Sequence, residues 1–246
     1  MNRYIAIVPA HNEVGAIADT IREIHAAAPQ FDVLVIDDGS SDATAASALG
    51  AGARVVRLPF NLGIGAAVQS GYIYARRHGY QVAVQVDGDG QHDPRDIPRL
   101  LEALQADPQA HFVIGSRFLG PPTGDRSTPF RRVGIALFAR VVSLLTHQRV
   151  TDPTSGFRMT DRTGIELFAR DYPSDYPEVE AIVLAHRHAM PARELAVTMR
   201  PRTSGTSRIS APVSVYYLVK VLLALAVTVL RATPPQGRSR PAERTS

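Results

Sequence analysis

The chain has 246 residues, 45% of them hydrophobic and 20% charged, enough to bury one large core of a globular body. It has no cysteine, which excludes disulfide frameworks and Cys-based zinc sites and leaves oxygen or imidazole to hold any metal. The formal charge is +4, but four Arg and one Glu lie in residues 231–246, so the body is nearly neutral; no helix crowded with Lys and Arg and no aromatic stacking motif points to nucleic acid.

The N-terminus, "MNRYIAIVPAHNE", lacks the apolar core and cleavage site of a signal peptide, which keeps the body in the cytoplasm. Tyr4–Val8, Val33–Ile36, Arg54–Leu58, Val82–Val86 and Phe112–Ile114 are short, rich in Val and Ile, and end at Pro, Asp or Gly, which predicts strands. Helices are predicted between them: Glu13–Ala28 with Asn12 as N-cap, Ala43–Leu49 after the capping residues Ser41 and Asp42, and Gly65–His78 ending at Gly79. This β-α-β-α order predicts an α/β fold, a mostly parallel sheet covered by helices on both faces, with its ligand at the carboxyl ends of the strands.

The second half is less regular. Helices are predicted near Phe130–Thr146, Arg162–Arg170 and Pro177–His188, a turn over "TDPTSGFR" and a strand over Glu194–Met199. "RPRTSGTSRIS" reads as a mobile loop. Residues 211–230 are the most apolar stretch and just long enough to span a bilayer, yet Lys220 sits at their middle, where a charge costs on the order of 3 kcal/mol. A helix lying in the interface or against a membrane partner is therefore preferred over a span, and a span over a core helix. The domains expected are a body at 1–210, an apolar membrane-associated or interfacial helix at 211–230, and a basic disordered tail at 231–246, which suits an anionic membrane surface.

Four polar loops fall at predicted strand ends: "PAHNE" (9–13), "DDGSSDAT" (37–44), "NLGIGAA" (61–67) and "DGDGQH" (87–92). Together they describe a pocket. Asp87 and Asp89, two apart at the mouth of a strand, can both approach one hard divalent cation, Mg²⁺ or Mn²⁺, whose shell is completed by water and phosphate oxygens. Such an ion neutralises charge on a departing diphosphate. Asp37 and Asp38 are placed to accept hydrogen bonds from a ribose or a base, although a solvated turn and a helix cap are the plain alternatives. The dinucleotide fingerprint, the phosphate-loop motif, the H-E-x-x-H zinc motif and the G-x-S-x-G elbow are all missing.

"VPAHNE", "VIDDGSSDAT", "NLGIGAA", "VQVDGDGQHDP", "IGSRF" and "TDPTSGFR", in this order over roughly residues 4–200, resemble the family 2 glycosyltransferases of GT-A fold, and especially their dolichyl/polyprenyl-phosphate mannosyltransferase-like branch. The resemblance implies that Asp87, Asp89 and Gln91 form the metal site, and that Pro9, Ala10, Glu13, Asp37, Asp38, Asn61 and Gly65 belong to the nucleotide-sugar pocket. It implies a phosphate-binding arginine at Arg117, shared with Arg131 or Arg132, and acceptor-facing acids in "YPEVE", Tyr176 to Glu180. The loop "RTSGTSRIS" lacks the paired glycines of that branch.

The expected activity is metal-dependent, inverting transfer of a sugar from a nucleotide-diphosphate sugar to polyprenyl phosphate or a cell-envelope glycan. Glu178, Glu180 and Asp152 are candidate bases if the acceptor is a hydroxyl; a phosphate acceptor requires none. The expected location is cytoplasmic, peripheral on the inner face of the membrane or anchored by one C-terminal helix. The alternative is a non-catalytic sugar-nucleotide-binding scaffold recruited to a membrane.

Overall fold

The computed structural model describes residues 4–120 and 129–200, and further on residues 220, 221, 223, 225 and 227. Five strands, β1 (Tyr4–Ala10), β2 (Phe31–Asp37), β3 (Arg54–Arg57), β4 (Val82–Gln85) and β5 (Phe112–Ser116), coincide with predicted ones to within a few residues. β6 (Arg158–Asp161) and β7 (Ala192–Ala196) complete a seven-stranded sheet of order β3-β2-β1-β4-β6-β5-β7. β1, β2, β3 and β4 run parallel, as do β5 and β7, whereas β6 is antiparallel to both its neighbours, β4 and β5.

Alternation along the strands sends side chains into two cores. Ile5, Ile7, Leu34, Ile36 and Ala83 face one side, where α3 (Ile64–Arg77), α5 (Pro129–Thr146), α6 (Arg162–Arg170) and α7 (Pro177–Arg187) supply Val68, Tyr72, Phe138, Phe168 and Ile182. Ala6, Val8, Val33, Val35 and Val84 face the other, against Ile17, Ile21 and Ile24 of α1 (Ile17–Ala27), Ala48 of α2 (Thr44–Gly50), and Ile97, Leu100, Leu101 and Leu104 of α4 (Ile97–Gln105). Gly71 lets α3 lie directly on β1: a Cβ there would stand 2.3 Å from Ile7 Cγ2.

Local differences from the sequence reading have physical causes. Asn12 does not cap α1, which begins at Ile17; Asn12 takes a left-handed backbone (φ 56°), which Asn tolerates, its N–H donates to Ser40 Oγ and its Oδ1 accepts from Ser41 N–H. Asp42 caps the Thr44 N–H at the start of α2, and Ser41 is spent on Asn12. α4 went unpredicted although Asp93 accepts from Arg95 N–H and Pro94 opens the turn that leads into it. β6, Arg-Met-Thr-Asp, has none of the Val and Ile that mark the predicted strands.

Of residues 211–230 the described ones are 220, 221, 223, 225 and 227; Val221 and Leu225 are buried in the α3–α5–α6–α7 core, and Leu223 and Val227 are exposed. Among the described residues no helix is long and apolar enough to cross a membrane. The loop at 202–210 and the tail at 231–246 lie outside the described residues, as does the Arg131 side chain.

Candidate active site

The chain order reverses between β1 and β4, so the loops leaving the two strands part and open a crevice at the carboxyl edge. A cavity of about 300 Å³ lies there, lined by Pro9, Ala10, His11 and Glu13 after β1, Asp38 after β2, Asn61, Gly63, Ile64 and Ala67 at the start of α3, Asp87, Gly88 and Asp89 after β4, and Glu178 in the first turn of α7. Four loops and one helix end thus converge. Of the expected site residues, Pro9, Ala10, Glu13, Asp38, Asn61, Asp87, Asp89 and Glu178 line this cavity.

On the β1–β2 side the side chains are fixed by backbone groups. Asp38 accepts from Leu62 N–H at 2.7 Å through Oδ1 and from Gly63 N–H at 2.9 Å through Oδ2, which ties the β2 loop to the start of α3. Each oxygen keeps a lone pair for a ligand. His11 Nδ1 lies 2.8 Å from the Asp38 carbonyl, and Glu13 N–H donates to Thr44 Oγ1.

On the β4 side, Asp89 is buried and its Oδ1 accepts from Gln91 N–H at 3.0 Å. Asp87 keeps 36% of its side chain exposed toward the cavity. Its N–H donates to His92 Nδ1 at 3.1 Å, so that nitrogen carries no proton, and Nε2 lies 3.6 Å from Asp87 Oδ2. His92 is buried and stacked on Phe157; desolvation, resisted by Asp89 and reinforced by Arg117, pushes its pKa down to about 4. Behind Asp87 stands Gly156, where a Cβ would meet the carboxylate oxygens at 2.9 and 3.0 Å.

The turn that carries Gly156 is braced by Arg158, the largest fully buried side chain. Its guanidinium donates to the carbonyls of Ser155, Pro153 and Glu178, linking the turn to α7. Desolvation raises the pKa of the Glu178 carboxyl; the Arg158 charge opposes the rise and Asp87 adds to it.

The remaining expected residues lie elsewhere. Asp37 is fully buried, accepting from Ser40 N–H, with Arg57 Nε 3.2 Å from its other oxygen; it shapes the loop and does not line the cavity. Gly65 packs α3 against the Pro173 and Ser174 carbonyls, where a Cβ would clash at 2.4 and 2.6 Å. Gln91 and Glu180 are half-buried and outside the lining. Arg117 and Asp152 form a buried bidentate pair, Nε to Oδ2 at 2.6 Å and Nη2 to Oδ1 at 2.7 Å. Asp152, a candidate base, has both its oxygens held by that guanidinium and is fully buried. Arg132 is exposed on α5. Sequence reading missed Gly156 and Arg158 as neighbours of the site, although both lie in the quoted "TDPTSGFR".

Five carboxylates therefore line the cavity, and no Lys or Arg does among the described residues. Among them no cluster of three His, Cys, Asp or Glu could hold a metal ion unaided. The pair Asp87 and Asp89 fits a hard cation that takes one or two carboxylates and completes its shell with phosphate and water.

Comparison with known proteins agrees with this geometry. The profile of "Glycosyl transferase family 2" matches residues 5–168. The polyprenol monophosphomannose synthase of Mycolicibacterium smegmatis is 32% identical over 218 residues, covering 85% of this chain and 81% of that protein. The undecaprenyl-phosphate mannosyltransferase of Micrococcus luteus is 29% identical, covering 85% and 88%. Glucosyl-3-phosphoglycerate synthase from Mycobacterium tuberculosis, crystallised with Mn²⁺, UDP and glucosyl-3-phosphoglycerate, shares the fold at a TM-score of 0.70 and 20% identity, over 94% of this chain and 81% of that one. A pocket of carboxylates at the carboxyl edge of this sheet, on a chain matched over most of its length, makes the protein a member of glycosyl transferase family 2 and a glycosyltransferase.

Proposed function

We propose that the protein transfers a sugar from a nucleotide-diphosphate sugar to a polyprenyl phosphate or a cell-envelope glycan acceptor, with inversion, at the inner face of the membrane. The observation that carries this reading is the charge of the cavity. A diphosphate cannot settle among Glu13, Asp38, Asp87, Asp89 and Glu178 without a counter-charge. A divalent cation, Mg²⁺ or Mn²⁺, held by Asp87 and Asp89 would supply that charge and offset what develops on the leaving diphosphate. The relatives named for polyprenol and undecaprenyl phosphate support the acceptor class.

The chain's own groups divide the work. Glu13, Asp38 and Asn61 offer acceptors for the hydroxyls and base of the nucleoside, with Pro9 and Ala10 as an apolar wall beside them. The acceptor oxygen attacks the anomeric carbon as the bond to the diphosphate breaks. A phosphate oxygen is already anionic and needs no base. If the acceptor is a hydroxyl, Glu178 is the candidate base within the cavity, and burial, which raises its pKa, makes it a stronger base than an exposed carboxylate. A scaffold that binds without turnover is disfavoured by the five carboxylates lining the cavity of a chain in a family of transferases.

The test is thermal stabilisation by a panel of nucleoside diphosphates and their sugars, with and without Mn²⁺, for the wild type and Asp89→Asn. Stabilisation by one nucleotide that needs Mn²⁺ and vanishes in the variant, together with loss of transfer and an unchanged unligated melting temperature, is the expected result. Transfer retained by Asp89→Asn would overturn the site.

A further inference from the structure

The chain past β7 runs back across the loop that carries Asp87 and Asp89. Val197 N–H still donates to the Ser116 carbonyl at the end of β5. Thr198 N–H then donates to Asp96 Oδ2 at 3.2 Å, Met199 pairs antiparallel with His92, and Arg200 N–H donates to the Gln91 carbonyl at 2.8 Å. Residues 198–200 thus strap residues 91–96, which lie far earlier in the chain.

The side chain of Arg200 fastens this crossing. Its guanidinium donates through Nη2 to Asp93 Oδ1 at 2.8 Å and through Nη1 to Glu23 of α1. The Asp93 side chain is 7% exposed and that of Glu23 46%, so solvent screens the second pair and the first is the stronger hold. Arg95 donates to the same Asp93 oxygen through its N–H and its Nε. Asp93 is therefore gripped both from its own turn and from the strap.

What the strap holds is the peptide of Gln91. Its N–H donates to Asp89 Oδ1 at 3.0 Å and its carbonyl accepts from Arg200 N–H, so one residue links a cavity carboxylate to the segment after β7. Arg200 itself lies outside the cavity, on the outer side of the loop with Glu23, Ala26, Pro94 and Arg95. We infer that Arg200 is a positioning residue for the metal: pinned to Asp93, it fixes Gln91, and through Gln91 the direction of the Asp89 carboxylate. The inference rests on the proposed site for a divalent cation and extends it to a residue beyond the cavity.

The sign of the effect separates positioning from charge. Acting through charge alone, a guanidinium repels a nearby cation and a carboxylate attracts it, so neutralising Arg200 would tighten Mn²⁺ binding and neutralising Asp93 would weaken it. As positioning partners, both weaken it when replaced, by about tenfold at the low end of what outer-shell partners of metal ligands contribute.

Binding of labelled UDP and of labelled GDP to the full chain is measured by equilibrium dialysis over a range of Mn²⁺ concentrations, well below the melting temperature of every variant. Arg200→Gln and Asp93→Asn are each expected to raise the half-saturating Mn²⁺ concentration about tenfold, and the double variant no further than the worse single one, because both break one contact. Arg200→Lys keeps the charge but lacks the fork that reaches two acids, and should fall between wild type and Arg200→Gln. Glu23→Gln, which removes the exposed partner alone, should stay within about twofold. Glu194→Gln is the control for a loosened strand: Glu194 accepts from the Thr151 and Asp152 N–H groups, away from residues 91–96, and its variant should lose melting temperature while keeping the Mn²⁺ requirement. Unchanged or tighter Mn²⁺ binding in Arg200→Gln overturns the inference. So does equal weakening in Glu194→Gln, which would make the loss a general effect of stability. A wild type whose nucleotide binding never depends on Mn²⁺ fails the metal-site reading itself, whereas one that depends on it just as Arg200→Gln does fails the positioning role alone.

Discussion

Asp87 is held from two sides, one at the far end of its own loop and one from a distant turn. The His92 imidazole receives its backbone N–H, and Gly156, far along the chain, leaves room for its carboxylate. Gly156→Ala puts a methyl group 2.9 to 3.0 Å from both oxygens, so the carboxylate must turn or shift. We expect transfer to fall about tenfold or more, with a weaker Mn²⁺ requirement curve and little loss of stability, because a misplaced group of under 1 Å costs on that order. Steady-state rates against Mn²⁺ concentration check it. His92 gives a pH signature. Its folded pKa lies near 4, below the ordinary 6.5, so the neutral form is favoured in the fold. The stability this contributes is present in full above pH 6.5 and is lost as the pH falls from 6.5 toward 4, a span worth on the order of 3 kcal/mol. Denaturant midpoints of metal-free protein across that window should fall steeply for the wild type and more shallowly for His92→Asn; parallel curves would refute the assignment. Asp87 and Asp89 were legible because a polar pair directly after an alternating apolar strand is a local pattern. Gly156 acts on Asp87 through a contact no local pattern encodes.

At the scale of elements, β6 does the assembling. Running against its neighbours, it begins at the edge where the parallel strands end, so the turn before it, Asp152–Phe157, arrives beside Asp87. Arg158 and the Arg117–Asp152 pair then lock that turn to α7 and to the end of β5. A parallel strand in the same place would have carried this turn to the far edge. The first five strands were readable from their Val and Ile runs, whereas Arg-Met-Thr-Asp of β6, with neither residue, gave no strand signal. α4, by contrast, carries its pattern openly: Ile97, Leu100, Leu101 and Leu104 stand at helical spacing after Asp93 and Pro94. The seat of α3 on β1 is testable. Gly71→Ala drives a methyl group to 2.3 Å from Ile7 Cγ2 and should cost about 1–3 kcal/mol, most of it recovered when Ile7 is shortened to Ala in the double variant. Urea midpoints of the two single variants and the double variant measure that coupling; simple additivity would exclude the contact.

For the whole molecule, composition misleads when taken as a sum. A net charge of +4 conceals a nearly neutral body and a basic tail at 231–246. The segment at 211–230 read as a membrane element because its residues are apolar; the structure shows Val221 and Leu225 closing the protein's own core and Leu223 and Val227 facing out. Which side of an apolar helix meets protein is decided by partners distant in sequence, so hydropathy alone could not divide the roles. The position of β6 also bears on synthesis. β1 to β4 can pair as soon as residues up to 85 are made, but Val82–Gln85 then stands as an edge until Arg158–Asp161 is translated. At roughly 5–20 residues per second that edge stays open for seconds on the ribosome. It is short, carries two valines on one face and no charge, the kind of strand that pairs with another nascent chain. Substitutions between Asp152 and Asp161 therefore act on a growing polypeptide as well as on a finished site, by lengthening the time that an adhesive border lies uncovered.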